Sequence, residues 1–393
     1  MPIWTSYEKE SEISVSCAKI SAQAVSIPVT NPTKIATRII KERHYIIVTA
    51  KVEGFKEIGV GYAYVGTTGG RSSAKFVEEV LAPIVESSDS NDIIGIWEAM
   101  FQESLLIGRR GLALRAISAI DIALWDLASK KAGLPLAVML GGSVKRIPAY
   151  ASGGYYQPQN GTWTDAMRAE IKFNRSLGFK DHKIKVGGLS VQEDALRVAA
   201  ATEEIAGTGR LALDANNAYK SVSEAVKAAK AFEQAAGDNG IWWYEEPLSP
   251  EDLLGMAEIR RYIDTPVATG EIAQSRHEFR ALIEQRSAEI LQPDVGVLGG
   301  VTEYMRVVRT AETFNLSTAP HWHANIHAHL AAASSSCIVI EHFAIEKDIY
   351  NFENLVTPDT RLVTEDGFAL ISERPGIGLD FDDAALEKYG IKG

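Results

Sequence analysis

Cysteine is scarce. Cys17 and Cys337 are the only two in 393 residues, and they stand in unrelated contexts. Two isolated thiols make no disulfide framework, and they fit a cytoplasmic protein in a reducing compartment. Long apolar runs are missing too: no stretch reaches the ~18 residues expected of a membrane-crossing helix, so no membrane partner is expected. The opening MPIWTSYEKESEIS is acidic and polar, unlike a signal peptide. Positive charge is in deficit, with 40 Lys and Arg against 51 Asp and Glu. The net charge of −11 argues against a nucleic-acid partner and against an anionic membrane surface. A local cluster of lysines or a metal ion can still hold a small anion against that global sign.

What remains is an ordinary globular balance, 46% hydrophobic and 23% charged, with length for a barrel plus an appendage. Residues 1–145 read as an α+β domain. Alternation marks strands at 12–26, 44–53 and 60–66, and helical periodicity marks 73–86 and 112–133, the latter stopped by Gly133 with Pro135 beyond. From 146 to 350 strands and helices alternate. The strands are expected at 147–152, 181–186, 210–215, 241–245, 266–271, 289–293, 316–320 and 337–341. Helices are expected at 163–177, 191–205, 220–235, 250–262, 275–286, 300–314 and 324–334. This pattern implies a parallel sheet closed into a (β/α)7β TIM-like barrel, with the N-terminal α+β segment as a capping domain. Residues 351–393 form a polar tail whose PGIGLDFD segment is expected to pack back on the capping domain and complete it.

The chemistry sits on that rhythm. Lys185 in HKIKVGG is followed by Asp214 in LALDANN, Glu245 in WWYEEP, Glu271 in VATGEIA, Asp294 in LQPDVG, His321 in TAPHWH and Glu341 in IVIEHF. The steps are 29, 31, 26, 23, 27 and 20 residues, each one βα unit, and each group ends an apolar run. A barrel places its chemistry at those C-terminal strand ends. Asp214, Glu245 and Glu271 end consecutive strands and converge. Three converging carboxylates need a cation, and Mg²⁺ suits hard oxygen donors with open positions. Glu246 rivals Glu245, but strand alternation turns only one inward, and Glu245 is favoured. Asn216, two residues beyond Asp214, faces the same way.

Lys183 and Lys185 are also two apart and both point inward. Burial beside a metal cation is expected to lower a lysine pKa, so one can act as a base while the other holds a substrate carboxylate. Asp294 beside His321 fixes the imidazole tautomer and raises its basicity, with His323 as an alternative partner. A zinc site built from His321, His323, His327 and His329 is a weaker reading, because the run lacks the HExxH pattern. Glu341 reaches the same pocket and is expected to bond a substrate carboxylate if protonated. Two bases around a metal that chelates a carboxylate define removal of the proton α to that carboxylate through an enediolate. Reprotonation then gives racemisation or epimerisation, and loss of a β-hydroxyl gives dehydration.

KIK, LDANN, YEEP, TGE, PD, APH and the last-strand Glu341 together resemble the enolase superfamily and its mandelate racemase subgroup, over nearly the whole chain. The resemblance implies Mg²⁺ on Asp214, Glu245 and Glu271, and Lys185 and His321 as acid/base groups with Asp294 paired to His321. It further implies that Lys183 and Ser152 contact a small-molecule carboxylate substrate. It implies a dehydratase of aldonic or aldaric acids, with a racemase, epimerase or cycloisomerase as the alternative. A member of the fold without turnover is a third reading, against which the full set of ligands and bases argues. Two cap loops, about 28–40 and 62–71, are implied to close over the barrel, with Lys34, Arg38, Tyr64 and Arg71 as polar handles. A homo-oligomer, dimer or octamer, is implied as well.

Overall fold

Side chains in residues 18–66 alternate between buried and exposed, the mark of strands packed on one face. In the computed structural model, which describes residues 16–157 and 161–391, they form an antiparallel sheet of β1 (Ala18–Lys34), β2 (Ile39–Val52) and β3 (Gly59–Gly66). The first expected strand begins at 12; its residues 12–15 lie outside the described part. The expected helix at 73–86 is three joined pieces: α1 (Gly70–Phe76), a π-helical turn at Val77–Leu81, and α2 (Ala82–Glu86). An unforeseen helix, α3 (Ile93–Glu103), follows, capped by Asp92 on the Gly95 N–H. The long helix α4 (Leu112–Ala132) ends where Gly133 turns left-handed at φ 68°. It lies so close to β3 that a Cβ on Gly61 would sit 2.1 Å from the Ala119 carbonyl oxygen. A short α5 (Leu136–Met139) leads to the barrel.

The barrel strands are β4 (Arg146–Gly153), β5 (His182–Lys185), β6 (Leu211–Asp214), β7 (Tyr244–Glu245), β8 (Val267–Thr269), β9 (Ile290–Leu291), β10 (Ser317–Thr318) and β11 (Ile340–His342). Each pairs in parallel with the next, from β4 to β10. β11 pairs with β4, and a Thr318–Cys337 bridge joins the last two strands, closing the ring. The crossovers carry α6 (Trp163–Ser176), α7 (Val191–Ile205), α8 (Val222–Ala236), α9 (Leu253–Ile259), α10 (Ser275–Glu284), α11 (Val295–Leu298) with α12 (Gly300–Thr313), and α13 (Ala324–Ala332). This is the (β/α)7β barrel with an N-terminal cap. Inside it, Tyr150, Ala212, Trp243, Ala268, Ile290, Ala319 and Val339 pack as one buried layer, the floor beneath the strand ends.

Cap and barrel meet through α4. Asp121 accepts from the Thr302 N–H (2.9 Å) and hydroxyl (2.6 Å), and Ser118 Oγ accepts from the Gly299 N–H at 2.9 Å. The tail divides its contacts. Part of it returns to the first segment, where the Ile377 N–H reaches Asp126 (2.7 Å) and the Leu136 N–H reaches the Gly376 oxygen (2.8 Å). Its hairpin β12 (Val363–Glu365) and β13 (Phe368–Leu370) instead pairs antiparallel with β4, and α14 (Asp383–Tyr389) packs near β1. No helix among the described residues is long and apolar enough to cross a membrane, and both cysteines are free.

Candidate active site

Strand register builds the site. Ser152 lies opposite Lys183, Lys185 opposite Asp214, and Asp214 opposite Glu245. Glu271 follows β8 by two residues. One carboxylate oxygen each from Asp214, Glu245 and Glu271 lies within 4.8 Å of the others, the only such metal-capable group among the described residues. Glu245, not Glu246, faces the cluster. Glu246 sits at φ 46° and turns to Asn217 Nδ2 (2.7 Å), the Thr269 hydroxyl and the Gly270 N–H (3.2 Å), bracing the strand ends from outside. Trp243 Nε1 (2.9 Å) and Gln292 Nε2 (2.6 Å) hold Glu245 Oε2.

The two lysines compensate these anions. Lys183 Nζ is 2.6 Å from Glu245, 2.8 Å from Glu341 and 3.8 Å from Asp214, and Lys185 is in direct contact with Asp214. Burial opposes both ammonium charges, but Glu245 and Glu341 raise Lys183, and Asp214 raises Lys185, above the ordinary lysine range. Glu245 moves the other way. Burial and the Asp214 charge push it up to about 8 against the pull of Lys183. At Glu341 burial favours the proton, but Lys183, His321 and Lys185 hold the carboxyl down at about 2. Its Oε2 also accepts the Trp322 N–H at 2.8 Å.

On the other flank, His321 Nδ1 meets Asp294 Oδ2 at 2.8 Å, leaving Nε2 3.6 Å from Glu271 and 4.0 Å from Glu341. Burial opposes the imidazolium, but Glu271, the Asp294 bond and Glu341 raise it to about 9. His323 meets Asp294 as well. Its Nδ1 is 2.7 Å from Asp294 Oδ1, and its Nε2 accepts the Tyr64 N–H at 3.4 Å. Gly296 makes room for that ring, since a Cβ there would fall 2.3 Å from it. A zinc site is ruled out by direction. His327 accepts the Val295 N–H (3.1 Å) and His329 the Ala137 N–H (3.2 Å), each a neutral structural histidine.

Ser152 Oγ, Asn216 Oδ1 and Glu271 Oε2 are among the buried polar atoms around this centre that have no hydrogen-bond partner among the described residues. Each is suited to a bound ion or substrate. The expected lid loops are mostly regular structure. Residues 28–34 continue β1, and 62–66 belong to β3. Lys34, Arg38 and Arg71 are exposed, and Tyr64 stacks on Trp322 at 5.3 Å. The cap cation at this wall is Arg43. It is buried, donates to the Ile349 oxygen (2.8 Å) and Tyr64 hydroxyl (3.2 Å), and stacks 4.5 Å over Trp322. Sequence reasoning missed Arg43, because IIKERHYIIV reads as a strand with a solvated charged face. It missed Arg197 and Asp194 too. Arg197 Nη1 bonds the Lys185 carbonyl (2.8 Å) and Asp194 (2.7 Å), which fixes the backbone of Lys185.

The fold and the carboxylate centre together define an enolase-type barrel enzyme class. The family model for the mandelate racemase/muconate lactonizing enzyme N-terminal domain matches residues 19–141, and that for the enolase C-terminal domain-like family matches 166–385. The chain belongs to the mandelate racemase/muconate lactonizing enzyme family of the enolase superfamily. It is 31% identical to an arabinonate dehydratase of Saccharolobus solfataricus over 370 residues, 91% of this chain and 94% of that one. A solved L-talarate/galactarate dehydratase of Salmonella typhimurium, liganded with Mg and L-lyxarohydroxamate, superposes with a TM-score of 0.88 at 28% identity, covering 99% of this chain and 96% of that one. A racemase of Streptomyces coelicolor with bound magnesium gives 0.86 at 27% identity, covering 95% and 100%.

Proposed function

We propose that this chain is a Mg²⁺-dependent lyase that removes the proton α to a carboxylate and expels a β-hydroxyl, converting an aldonate or aldarate to a 2-keto-3-deoxy acid. The observation that carries this reading is the placement of two proton-transfer groups at the two ends of one carboxylate row, Lys185 on Asp214 and His321 beside Glu271. The donor set suits the ion. Asp214, Glu245 and Glu271 offer three hard oxygens, Glu271 Oε2 has no hydrogen-bond partner among the described residues, and Glu245 is pushed up by burial and the Asp214 charge. When bound, Mg²⁺ neutralises the three carboxylates and draws charge from the substrate carboxylate, which loosens the hold of Asp214 on Lys185 and acidifies the α-proton.

The protein's own groups do the rest. Lys183, with Ser152 and Asn216, orients the substrate carboxylate and meets the charge that develops on its oxygens. Lys185 or His321, according to the face presented, takes the α-proton. The group at the other end of the row gives a proton to the departing β-hydroxyl, which leaves as water. The enol left behind tautomerises to the keto acid. Asp294 keeps the His321 ring oriented throughout.

Racemisation, epimerisation or cycloisomerisation is the second reading, favoured by the same pairing of bases, since groups at both ends of the row can also exchange the α-proton between faces. The test is NMR in D₂O, with Mg²⁺, across a panel of acid sugars and 2-hydroxy acids. A keto acid product supports the lyase. Exchange or inversion without loss of water supports the isomerase. Absence of both α-exchange and product with every acid rejects the two together.

A further inference from the structure

Two arginines among the described residues are almost wholly buried, Arg197 and Arg43. Their charges are met differently. Arg197 pairs with Asp194 at 2.7 Å. Arg43 has no ion-pair partner among the described residues. Its Nε and Nη1 end on two neutral oxygens, the Ile349 carbonyl at 2.8 Å and the Tyr64 hydroxyl at 3.2 Å, and Nη2 makes no hydrogen bond to any described residue. A guanidinium taken out of water without a counter-charge is costly, and buried charges are otherwise paired. The group that its planar fork fits is a carboxylate.

The position of Arg43 says where that carboxylate comes from. Its Cζ lies 4.5 Å from the centre of the Trp322 ring, and that ring stacks on His321 at 5.7 Å. On the other flank stands Tyr155, whose ring centre is 4.9 Å from Lys185 Nζ. Tyr155 lies in the field of both cations: burial raises its hydroxyl, and Lys185 and Arg43 draw it back. The guanidinium is thus set off from the two proton-transfer groups by a layer of aromatic rings. Charge then decides which acids gain from it. Asp214, Glu245, Glu271, Asp294 and Glu341 repel a second anionic group on a substrate unless a cation receives it. Lys183 and Lys185 are already engaged with Glu245, Glu341 and Asp214. Arg43 is not. An aldonate, which ends in a hydroxymethyl group, leaves its guanidinium uncompensated, whereas an aldarate brings the missing charge.

We propose that Arg43 receives the second carboxylate of a dicarboxylic acid sugar, so that this site takes aldarates in preference to aldonates. The inference rests on the acid-sugar reading above for the reaction, and the contact with Arg43 can be tested apart from it.

Steady-state kinetics with Mg²⁺ compares wild type, Arg43→Met and Arg43→Lys on four-, five- and six-carbon aldarates and on the aldonates of matching configuration, which differ only in the terminal group. Wild type is expected to favour the aldarate by about 10²-fold in kcat/KM. Arg43→Met is expected to bring that ratio near one, mainly through KM, and Arg43→Lys to keep part of it, because the charge stays without the fork. Partial misfolding lowers both rates and leaves their ratio unchanged, so a merely structural Arg43 does not move it. A ratio near one in wild type, or the wild-type ratio in Arg43→Met, overturns the proposal and leaves the lyase reading standing. If no acid turns over, the lyase reading fails and binding decides. Succinate, glutarate and adipate are then compared with butyrate, valerate and hexanoate for their effect on the melting temperature of the Mg²⁺-loaded protein at equal ionic strength. A rise confined to the diacids and lost in Arg43→Met supports the contact; no rise, or one that survives the substitution, overturns it.

Discussion

Asp294 Oδ2 stands 2.8 Å from His321 Nδ1, and so the ring presents Nε2 to the carboxylate row. The other oxygen of Asp294 faces His323 and accepts the Gly296 N–H at 2.8 Å. An asparagine must turn its NH₂ toward one of these donors. Asp294→Asn is therefore expected to leave Mg²⁺ binding intact while cutting turnover by about 10²–10⁴-fold through loss of the His321 orientation. Calorimetric Mg²⁺ titration beside steady-state kinetics separates the two effects, and normal turnover would remove His321 from the mechanism.

Lys183 and Lys185 are expected to fail differently. Lys183→Met strips Glu245 and Glu341 of their shared ammonium and is expected to cost about 3–5 kcal/mol of stability. After Lys185→Met, Asp214 still has Lys183 at 3.8 Å and the Asn216 N–H at 2.9 Å. That variant is expected to fold nearly as well yet lose α-proton exchange with substrates that present their proton to Lys185. Urea denaturation and D₂O exchange report the pair, and equal stability loss in both variants contradicts the assignment.

Added Mg²⁺ is expected to raise the melting temperature and EDTA to reverse the rise. At free Mg²⁺ about 100-fold above its Kd, the stabilisation is about 2.7 kcal/mol. Glu271→Gln is expected to abolish the response, since it removes the carboxylate charge at the oxygen that has no hydrogen-bond partner among the described residues. An unchanged melting curve in wild type argues against the ion.

Glu353 gives a pH signature remote from the centre. Burial pushes its carboxyl up to about 7, against a hydrogen bond from Asn325 at 3.1 Å. A carboxyl raised in the folded state holds its proton where the unfolded chain has lost it. Its neutral form is thus fully compatible with folding below about pH 4.5, and stability declines as pH rises from there to about 7. Glu353→Gln is expected to flatten that decline and to gain on the order of 1–3 kcal/mol over wild type at pH 8, read from urea melts across pH.

The alternation of strand and helix was legible because each barrel strand is a short apolar run with a functional group at its end, and α7 begins and ends where its period predicts, at Val191 and Ile205. The carboxylate row and the His321–Asp294 pair followed from spacing alone, since parallel strands turn sequence intervals into neighbours. Charge states were not legible. The Glu341 carboxyl is held below its ordinary range because Lys183, 158 residues earlier, lies 2.8 Å away, and no local pattern carries that information. The cap was misread for a related reason. Pro28, Asn31 and Pro32 signal a loop, yet this stretch extends β1 through an irregular pairing between Pro28 and Thr33. Arg43 is buried only because Trp322 and Ile349 arrive from the barrel to cover it.

The Ile391 N–H closes on the Ala24 oxygen at 2.9 Å, and Gly390 bridges Val25. The seam joins the outer edge of the first strand to residues made some 365 positions later. On the ribosome, where segments emerge in order, β1 leaves early but keeps an open edge until residue 391 is free. One edge of β1 is paired by β2, the next strand made, while its other edge meets residues made after the whole barrel. Removal of residues 390 and 391 therefore exposes an edge at the beginning of the fold rather than at its end.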